Sequence, residues 1–509
     1  MWKKLFFVLS FFFCLHSFAH AQSLKIGVIS DIHYMAPSLL VEKGTAFDNY
    51  AKSDRKLLLE SPAILKATVQ NLLIAKVNVV FITGDLTKDG ELASHEGVVE
   101  MLKPLLDKGV KVLVVPGNHD INNPYSVSFY GNYTKAAPTV SADEFRRIYG
   151  KYGFETAIST DKNSLSYVSE PVEGLRVLCI DDCEYYNNTF KSKGADLDSR
   201  VTNGMIKPET MEWAKNEIAQ ARQQGKHIIG MIHHNIVEHF DYEGLFATPY
   251  MVDNYRNVQK EFMLAGLNVI FTGHFHATDI ARVDDEKGNY LYDVETGSTV
   301  TYPCPYRLIE FAGDSLRIET KHIEHIDFEL PDGVDFQTYA RNRLKNEIPV
   351  IISGLIAGNY QRLSKAIPKF AASFIKIPDE QVLTQMALKY FTTSGTDLLL
   401  AHYCGNENLV DSADIKCEEL FKNIDAFIHE FSVKSSSLLS PMVEEALKNS
   451  EITNKLKDTF TSIWKDKIGP DYYNKDYKWQ MKYPVNDLNL VIRLTPVAQR
   501  QRSTVNNPQ

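Results

Sequence analysis

Five short apolar runs in this chain each end in residues that bind metal ions, and this coincidence constrains the fold more than any compositional figure. Residues 25–30 run into Asp31-Ile32-His33, and residues 77–83 into Gly84-Asp85. Residues 110–115 lead to Pro116-Gly117-Asn118-His119-Asp120, residues 227–232 to His233-His234-Asn235, and residues 267–272 to Gly273-His274-Phe275-His276. Short β-branched and aliphatic runs bounded by turn formers read as buried strands. Amphipathic stretches at 62–76, 91–108, 208–224 and 252–265 separate them and predict helices. Alternation of this kind implies α/β layering, with helices packed on largely buried sheets. Ligands in such folds gather at the carboxyl ends of strands, where all five clusters fall.

Side chains alternate along a strand, so Asp31 and His33 are expected to face one way, as are His274 and His276. Gly84, Gly117 and Gly273 let the backbone approach a small ion closely. Imidazole suits Zn or Fe, and carboxylate or amide oxygen suits Mn or Fe. Asp31, His33, Asp85, Asn118, one of His233 and His234, His274 and His276 are too many donors for one ion. They are enough for two divalent ions (Mn, Fe or Zn) sharing a carboxylate, for which Asp85 is the natural bridge. Each fragment alone has a bland explanation: a turn, a polar loop, a pair of unrelated histidines. The five together, each at a strand end, point to a metal centre.

The order Asp-x-His, Gly-Asp, Gly-Asn-His-Asp, His, Gly-His-x-His resembles that of the calcineurin-like metallophosphoesterase superfamily over residues 24–325. The resemblance implies an α/β protein with a four-layer α/β/β/α sandwich in residues 22–330. It implies one metal held by Asp31, His33, Asp85 and His276, and a second held by Asp85, Asn118, His233 and His274. His233 is chosen over His234 because the family ligand stands two residues before a proline, a position that Asn235 takes here.

Departures from the family pattern narrow the branch. The protein Ser/Thr phosphatases carry Gly-Asp-x-x-Asp-Arg-Gly and then Gly-Asn-His-Glu. Here residues 84–90 read Gly-Asp-Leu-Thr-Lys-Asp-Gly, and Asp120 replaces the glutamate. Lys88 stands where purple acid phosphatases place a tyrosine ligand. What remains looks like the cyclic-nucleotide and sphingomyelinase-like phosphodiesterases, which implies hydrolysis of a small-molecule or lipid-derived phosphodiester. Two ions about 3.5–4 Å apart polarise a bridging hydroxide, which attacks phosphorus in line with the leaving alkoxide. His119 is placed to protonate the leaving oxygen, with Asp120 orienting its imidazole and favouring the protonated form. The ligands do not choose between one ester arm and two, so a phosphomonoesterase is the alternative. A binding protein with a vestigial site is expected to lack a ligand, and none is missing.

Met1-Trp2-Lys3-Lys4, the apolar residues 5–15 and Ala19-His20-Ala21 form a secretory signal, with cleavage expected after Ala21. The destination is then periplasmic or extracellular, and no later segment reads as a transmembrane span. A net charge of −9 and pI near 6.0 give no general attraction to nucleic acid. The sparse cysteines are no disulfide framework; Cys404 and Cys417 are the likeliest pair by proximity, and Cys179 and Cys183 read as structural. From Pro331-Asp332-Gly333 onward only 6 of the 27 glycines are found, and apolar residues recur at helical spacing, as in Phe421, Ile424, Phe427 and Phe431. A mostly α domain is expected at 331–485, followed by a polar tail at 486–509 that ends in disorder. His95 reads as a helix-surface group, His239 as a pocket or structural residue, and Arg307 as a weak phosphate-binding candidate.

Overall fold

The computed structural model describes residues 23–52, 54–366, 376–405, 412–436, 438–465, 479–482 and 486–496. The expected signal segment and the end of the polar tail lie outside the described residues.

Two large sheets form the middle of the fold. The first has the order β17 (Asn489–Arg493), β15 (Ser315–His322), β14 (Pro305–Ala312), β1 (Leu24–Ile29), β3 (Val79–Ile82), β4 (Lys111–Val114). The second runs β16 (Trp479–Lys482), β12 (Asp279–Asp285), β13 (Tyr290–Glu295), β11 (Val269–Thr272), β10 (His227–Met231), β9 (Leu175–Cys179), β8 (Tyr167–Val172), β7 (Ser159–Thr160). A small third sheet joins β2 (Leu40–Glu42), β5 (Val127–Tyr130) and β6 (Tyr133–Ala136). The strands that feed the five clusters end within two residues of the positions read from the sequence.

Alternation within the strands sets the layers. Val79 and Phe81 of β3 face the second sheet, where Phe81 meets Phe271 of β11 with ring centroids 5.9 Å apart. Val80 and Ile82 face outward onto α1 (Ser61–Ala75) and α2 (Leu92–Asp107), packing with Ile64, Leu72 and Leu102. The second sheet likewise turns Leu178, Ile228 and Ile270 onto α3 (Pro208–Gln223) and α4 (Tyr255–Ala265), against Ile218 and Phe262. This is the four-layer α/β/β/α sandwich. Each side chain so buried contributes about 1.5–3 kcal/mol, which is why the strands read as nearly continuous apolar runs. Pro62 and Pro208 sit in the first turns of α1 and α3, where a missing N–H costs nothing, and α1 stops at Lys76 in a left-handed conformation.

Among the described residues five helices follow: α5 (Phe336–Ala366), α6 (Glu380–Cys404), α7 (Ala413–Ser435), α8 (Ser440–Lys448) and α9 (Glu451–Lys465). They are anchored on the sandwich at two places. Phe336 and Ala340 enter the core beside α1, and Leu398, Leu420 and Ile463 pack on Phe240, with Phe275 beside them. Among the described residues no helix is long and apolar enough to cross a membrane.

The strands between 279 and 322 divide between the two sheets: β12 and β13 complete the second, whereas β14 and β15 belong to the first. Two expectations need correction. The segment read as the end of a helical domain and a tail returns to the sandwich: β16 pairs with β12, and β17 pairs antiparallel with β15. The physical reason is the open edge of β15 and the period-two pattern of Leu490-Val491-Ile492-Arg493, which puts fully buried Ile492 into the core between the sheets. Cys404 and Cys417 form no disulfide with each other.

Candidate active site

Adjacent strands β1 and β3 bring the first two clusters together, with Asp31 N donating to Gly84 O at 3.1 Å and His33 N to Asp85 O at 2.9 Å. Convergence does not come from strand alternation as expected. Both strands have already ended, and Asp31, His33, Asp85, His274 and His276 all take positive φ, of 49°, 40°, 49°, 69° and 75°. Non-glycine residues held there cost on the order of 1–3 kcal/mol each and persist only where the surroundings impose them. The glycines are needed for clearance: a Cβ on Gly84 would run into the His233 ring, and one on Gly273 into the Ser30 hydroxyl.

The donor atoms form two groups around one carboxylate. Asp85 Oδ2 lies 3.5 Å from His33 Nε2, and its Oδ1 lies 3.5 Å from His233 Nε2. On the first side, His276 Nε2 is 3.2 Å from Asp31 Oδ1 and 3.2 Å from His33 Nε2. On the second, His233 Nε2 is 3.2 Å from Asn118 Oδ1, and the His233 and His274 rings are 4.8 Å apart. Outer partners orient these rings: His233 Nδ1 donates to Thr83 O at 2.8 Å and His274 Nε2 to Pro249 O at 3.1 Å. His234 differs from its neighbour. Its Nδ1 meets Asp182 Oδ2 at 3.0 Å and its Nε2 meets Thr202 O at 2.7 Å, so protein atoms engage both nitrogens.

Electrostatics sharpen the picture. Burial pushes Asp31 and Asp85 up, but His276 beside the first and His119 and His233 beside the second hold both well below the ordinary carboxylate range. Burial, with Lys56 nearby, takes His33 down to about 3, and burial takes His276 down to about 4, leaving neutral rings with lone pairs. Burial also opposes the charge on His233, yet Asp85 and Asp31 draw it up to about 10. Inward-facing donors therefore carry excess negative charge. Among the described residues, buried Asp31 Oδ1 accepts no hydrogen bond. An orphaned buried carboxylate oxygen in a mixed His/Asp/Asn ligand set fits a pair of divalent cations.

His119 stands at the rim of this cluster, 8% exposed, with its N–H donating to Asp85 Oδ1 at 2.8 Å. Asp120 does not orient it, contrary to the sequence reading. The Asp120 carboxylate turns inward and accepts from Leu86 N, Thr87 N, Thr87 Oγ1 and Gly117 N at 2.8–3.1 Å, tying the Asp85 loop to the Asn118 loop. His119 Nδ1 instead meets Lys88 O at 2.6 Å and Asp89 Oδ1 at 3.0 Å. Nor is the protonated form favoured, since burial and the neighbouring Arg200 guanidinium push the imidazole down. Lys88 is withdrawn from the site, with Nζ 2.6 Å from Asp89 Oδ2 and 2.8 Å from Glu91 Oε1. His95 is buried rather than on the surface, because it bridges Tyr149 Oη at 2.9 Å and Asp120 O at 2.8 Å.

A pocket of about 230 Å³ opens over the cluster, lined also by Asp54, Arg55, Lys56, Arg200, Thr202, Tyr250 and Val350. None of these seven was read from the sequence. They come from loops and from α5, where no periodicity or spacing marks a wall residue; only their charge was visible. Arg307 lies outside this pocket, fully buried, and its guanidinium donates to Asp487 O at 2.6 Å and Thr320 Oγ1 at 2.9 Å. His239 is structural as well, between Asp279 at 3.6 Å and Asp293 at 3.5 Å. Burial disfavours its charge, but these two carboxylates hold it well above the ordinary imidazole range.

A sequence model of the calcineurin-like phosphoesterase family matches residues 24–278. Over 68 residues, 13% of this chain, the protein is 37% identical to a probable cyclic nucleotide phosphodiesterase of Vesicomyosocius okutanii and 32% identical to one of Ruthia magnifica. The alignment spans 28% of the length of each of these curated relatives. A crystal structure of a dimetal phosphatase from Danio rerio aligns with 60% of this chain and 97% of its own, at 13% identity and a TM-score of 0.41.

Proposed function

This chain belongs to the calcineurin-like phosphoesterase family, and from that premise we propose that it is a dinuclear-metal hydrolase of phosphate esters that prefers phosphodiesters. Asp31, His33, Asp85 and His276 would hold one divalent ion, and Asp85, Asn118, His233 and His274 the other. The ions supply Lewis-acid polarisation of the phosphate and of the attacking water. Asp85 carries the reading, because its two oxygens each face a different histidine at 3.5 Å. His233 rather than His234 is the ligand, since protein atoms engage both nitrogens of His234.

The chain's own side chains do the rest. Arg55, Lys56 and Arg200 give the pocket positive charge for a phosphate group. His119, held at Nδ1 by the Lys88 carbonyl and Asp89, presents Nε2 as the proton-handling atom for the leaving oxygen. Preference for a diester is supported by the curated relatives' names and by a pocket wall extending to Tyr250 and Val350, which leaves room for a second ester arm. Export to the periplasm or the outside is part of the same reading and rests on the signal-like residues 1–21.

The test is an initial-rate comparison on chelator-stripped protein reloaded with Mn²⁺, using bis-p-nitrophenyl phosphate and p-nitrophenyl phosphate. Metal-dependent cleavage favouring the diester, and lost in Asp85→Ala, is expected. Preference for the monoester would replace the diesterase by a phosphomonoesterase. Failure to bind two ions would sink the dinuclear assignment.

A further inference from the structure

Helices α5, α6, α7 and α9 do not close on one another. Between them and the sandwich lies a cavity of about 610 Å³, bounded by side chains that include Ile352, Leu383, Phe391, Ile424 and Phe460. Among the described residues, no charged side chain lines it apart from the ionisable His402, and Thr453 is the only other lining residue with a side-chain polar atom. The space opens to solvent at one side, where the lining residues Leu355 and Ile452 are 60% and 53% exposed. Water in it would wet walls that are apolar almost throughout. The volume falls within the roughly 300–1,000 Å³ of small-molecule sites. An occupant with no hydrogen-bonding groups along its buried length, a hydrocarbon chain, matches the lining.

Its position ties this cavity to the metal cluster. Phe275, which lines it, stands in sequence between His274 and His276, and its ring is 4.7 Å from that of Tyr250 in the wall of the phosphate pocket. Helix α5 borders both spaces, with Val350 lining the phosphate pocket and Ile348 and Ile352 lining the cavity. Resting on the phosphoesterase reading above, we propose that the substrate is an amphiphile, a phosphate ester whose long alkyl or acyl chain occupies the helical cavity while its phosphate lies over the metal ligands. The helical domain is then the tail-binding half of the active site.

Gly395 supplies the test. It lines the cavity from within α6, and a Cβ added there meets no atom within 4 Å, so Gly395→Leu fills space without a clash. Ala387→Phe, from another lining position, is the second variant. Two measurements use the full chain. The first is binding of a dansyl-labelled undecanoic acid to metal-free protein, with palmitate as competitor. The second is KM for p-nitrophenyl methyl, butyl and octyl phosphates with Mn²⁺, where water adds to phosphorus and p-nitrophenolate leaves. The probe is expected to bind and be displaced by palmitate, and KM to fall roughly 100-fold from methyl to octyl. Both variants should weaken probe binding about tenfold and flatten the chain-length series, with kcat on the methyl ester unchanged. Esters cleaved with no chain-length preference would overturn the proposal and leave the phosphoesterase reading standing. Probe binding with no ester cleaved at any length would overturn that reading, and with it the substrate assignment, leaving only a hydrocarbon site.

Discussion

Asp89 Oδ1 lies 3.0 Å from His119 Nδ1. The same carboxylate meets Arg200 Nη1 at 3.2 Å and, through Oδ2, Lys88 Nζ at 2.6 Å. One buried aspartate thus fixes the ring proposed to handle the leaving-group proton and ties it to a cation of the pocket wall. Nδ1 is thus crowded by the Lys88 carbonyl, Asp89 and, at 2.8 Å, Arg200 Nη1, and Nε2 is left toward the pocket.

Asp89→Asn is expected to lower kcat on the diester about 10- to 100-fold, with two metals still bound and KM nearly unchanged, because it weakens the hold on the His119 ring and on Arg200 beside it. Asp120→Asn should do something different. It places an amide where a carboxylate accepts four N–H or O–H donors, so it lowers Tm while the folded fraction keeps its kcat. Steady-state kinetics beside thermal melts separates the two. Equal kinetic losses in both variants would restore Asp120 as the orienting residue.

The adjacent histidines give a sharp contrast. His233→Ala should reduce bound metal from two equivalents to one or fewer, measured by elemental analysis after desalting. His234→Gln should retain both ions yet cost about 1–3 kcal/mol of stability, because it disturbs the contact between the imidazole and buried Asp182. The reverse pattern would transfer the ligand role to His234.

How much of this was legible follows from what each residue depends on. The strands and the clusters at their ends were readable because burial on both faces writes an unbroken apolar run and the fold puts chemistry where such a run stops. Asp31 and His33 were correctly grouped for an incomplete reason, since left-handed turns rather than strand alternation bring them together. The Asp120 assignment failed because Gly-Asn-His-Asp says that two residues are neighbours in sequence, not that their side chains point the same way. Arg200 was invisible because it reaches His119 across 81 residues from an irregular segment. His95 shows the limit of a helical-face argument, since its partners Tyr149 and the Asp120 carbonyl come from elsewhere in the chain.

Glu295 predicts a pH dependence of stability. Burial, opposed by nearby His239 and reinforced by Glu243, raises its carboxyl from 4.5 to about 8. The native state therefore holds a proton that the unfolded chain has released between these values, so this group's contribution to stability falls as pH rises from about 4.5 toward 8. Glu295→Gln should flatten that slope, measured by urea unfolding at pH 5, 6, 7 and 8. The amide is accommodated: Ala277 N can still donate to its oxygen, and Asn235, whose Oδ1 has no partner among the described residues, can flip to accept from its nitrogen. An unchanged slope would mean that Glu295 does not titrate in this range.

The strand at residues 489–493 makes the sharpest stability prediction, since the sequence suggested a polar tail there. Ile492 is fully buried between the sheets, opposite Leu316 of β15, whereas Val491 is 49% exposed on the other side of the same strand. The backbone is pinned nearby, with Thr320 N donating to Leu488 O at 2.7 Å and Arg307 Nη1 to Asp487 O at 2.6 Å. Ile492→Ala should cost about 2–5 kcal/mol, because it opens a cavity in a core that cannot collapse around it. Val491→Ala should stay within about 0.5 kcal/mol. Urea midpoints at constant slope give both values. A loss of similar size at the two positions, or at neither, would mean that residues 489–493 do not complete the first sheet and that β15 is its true edge.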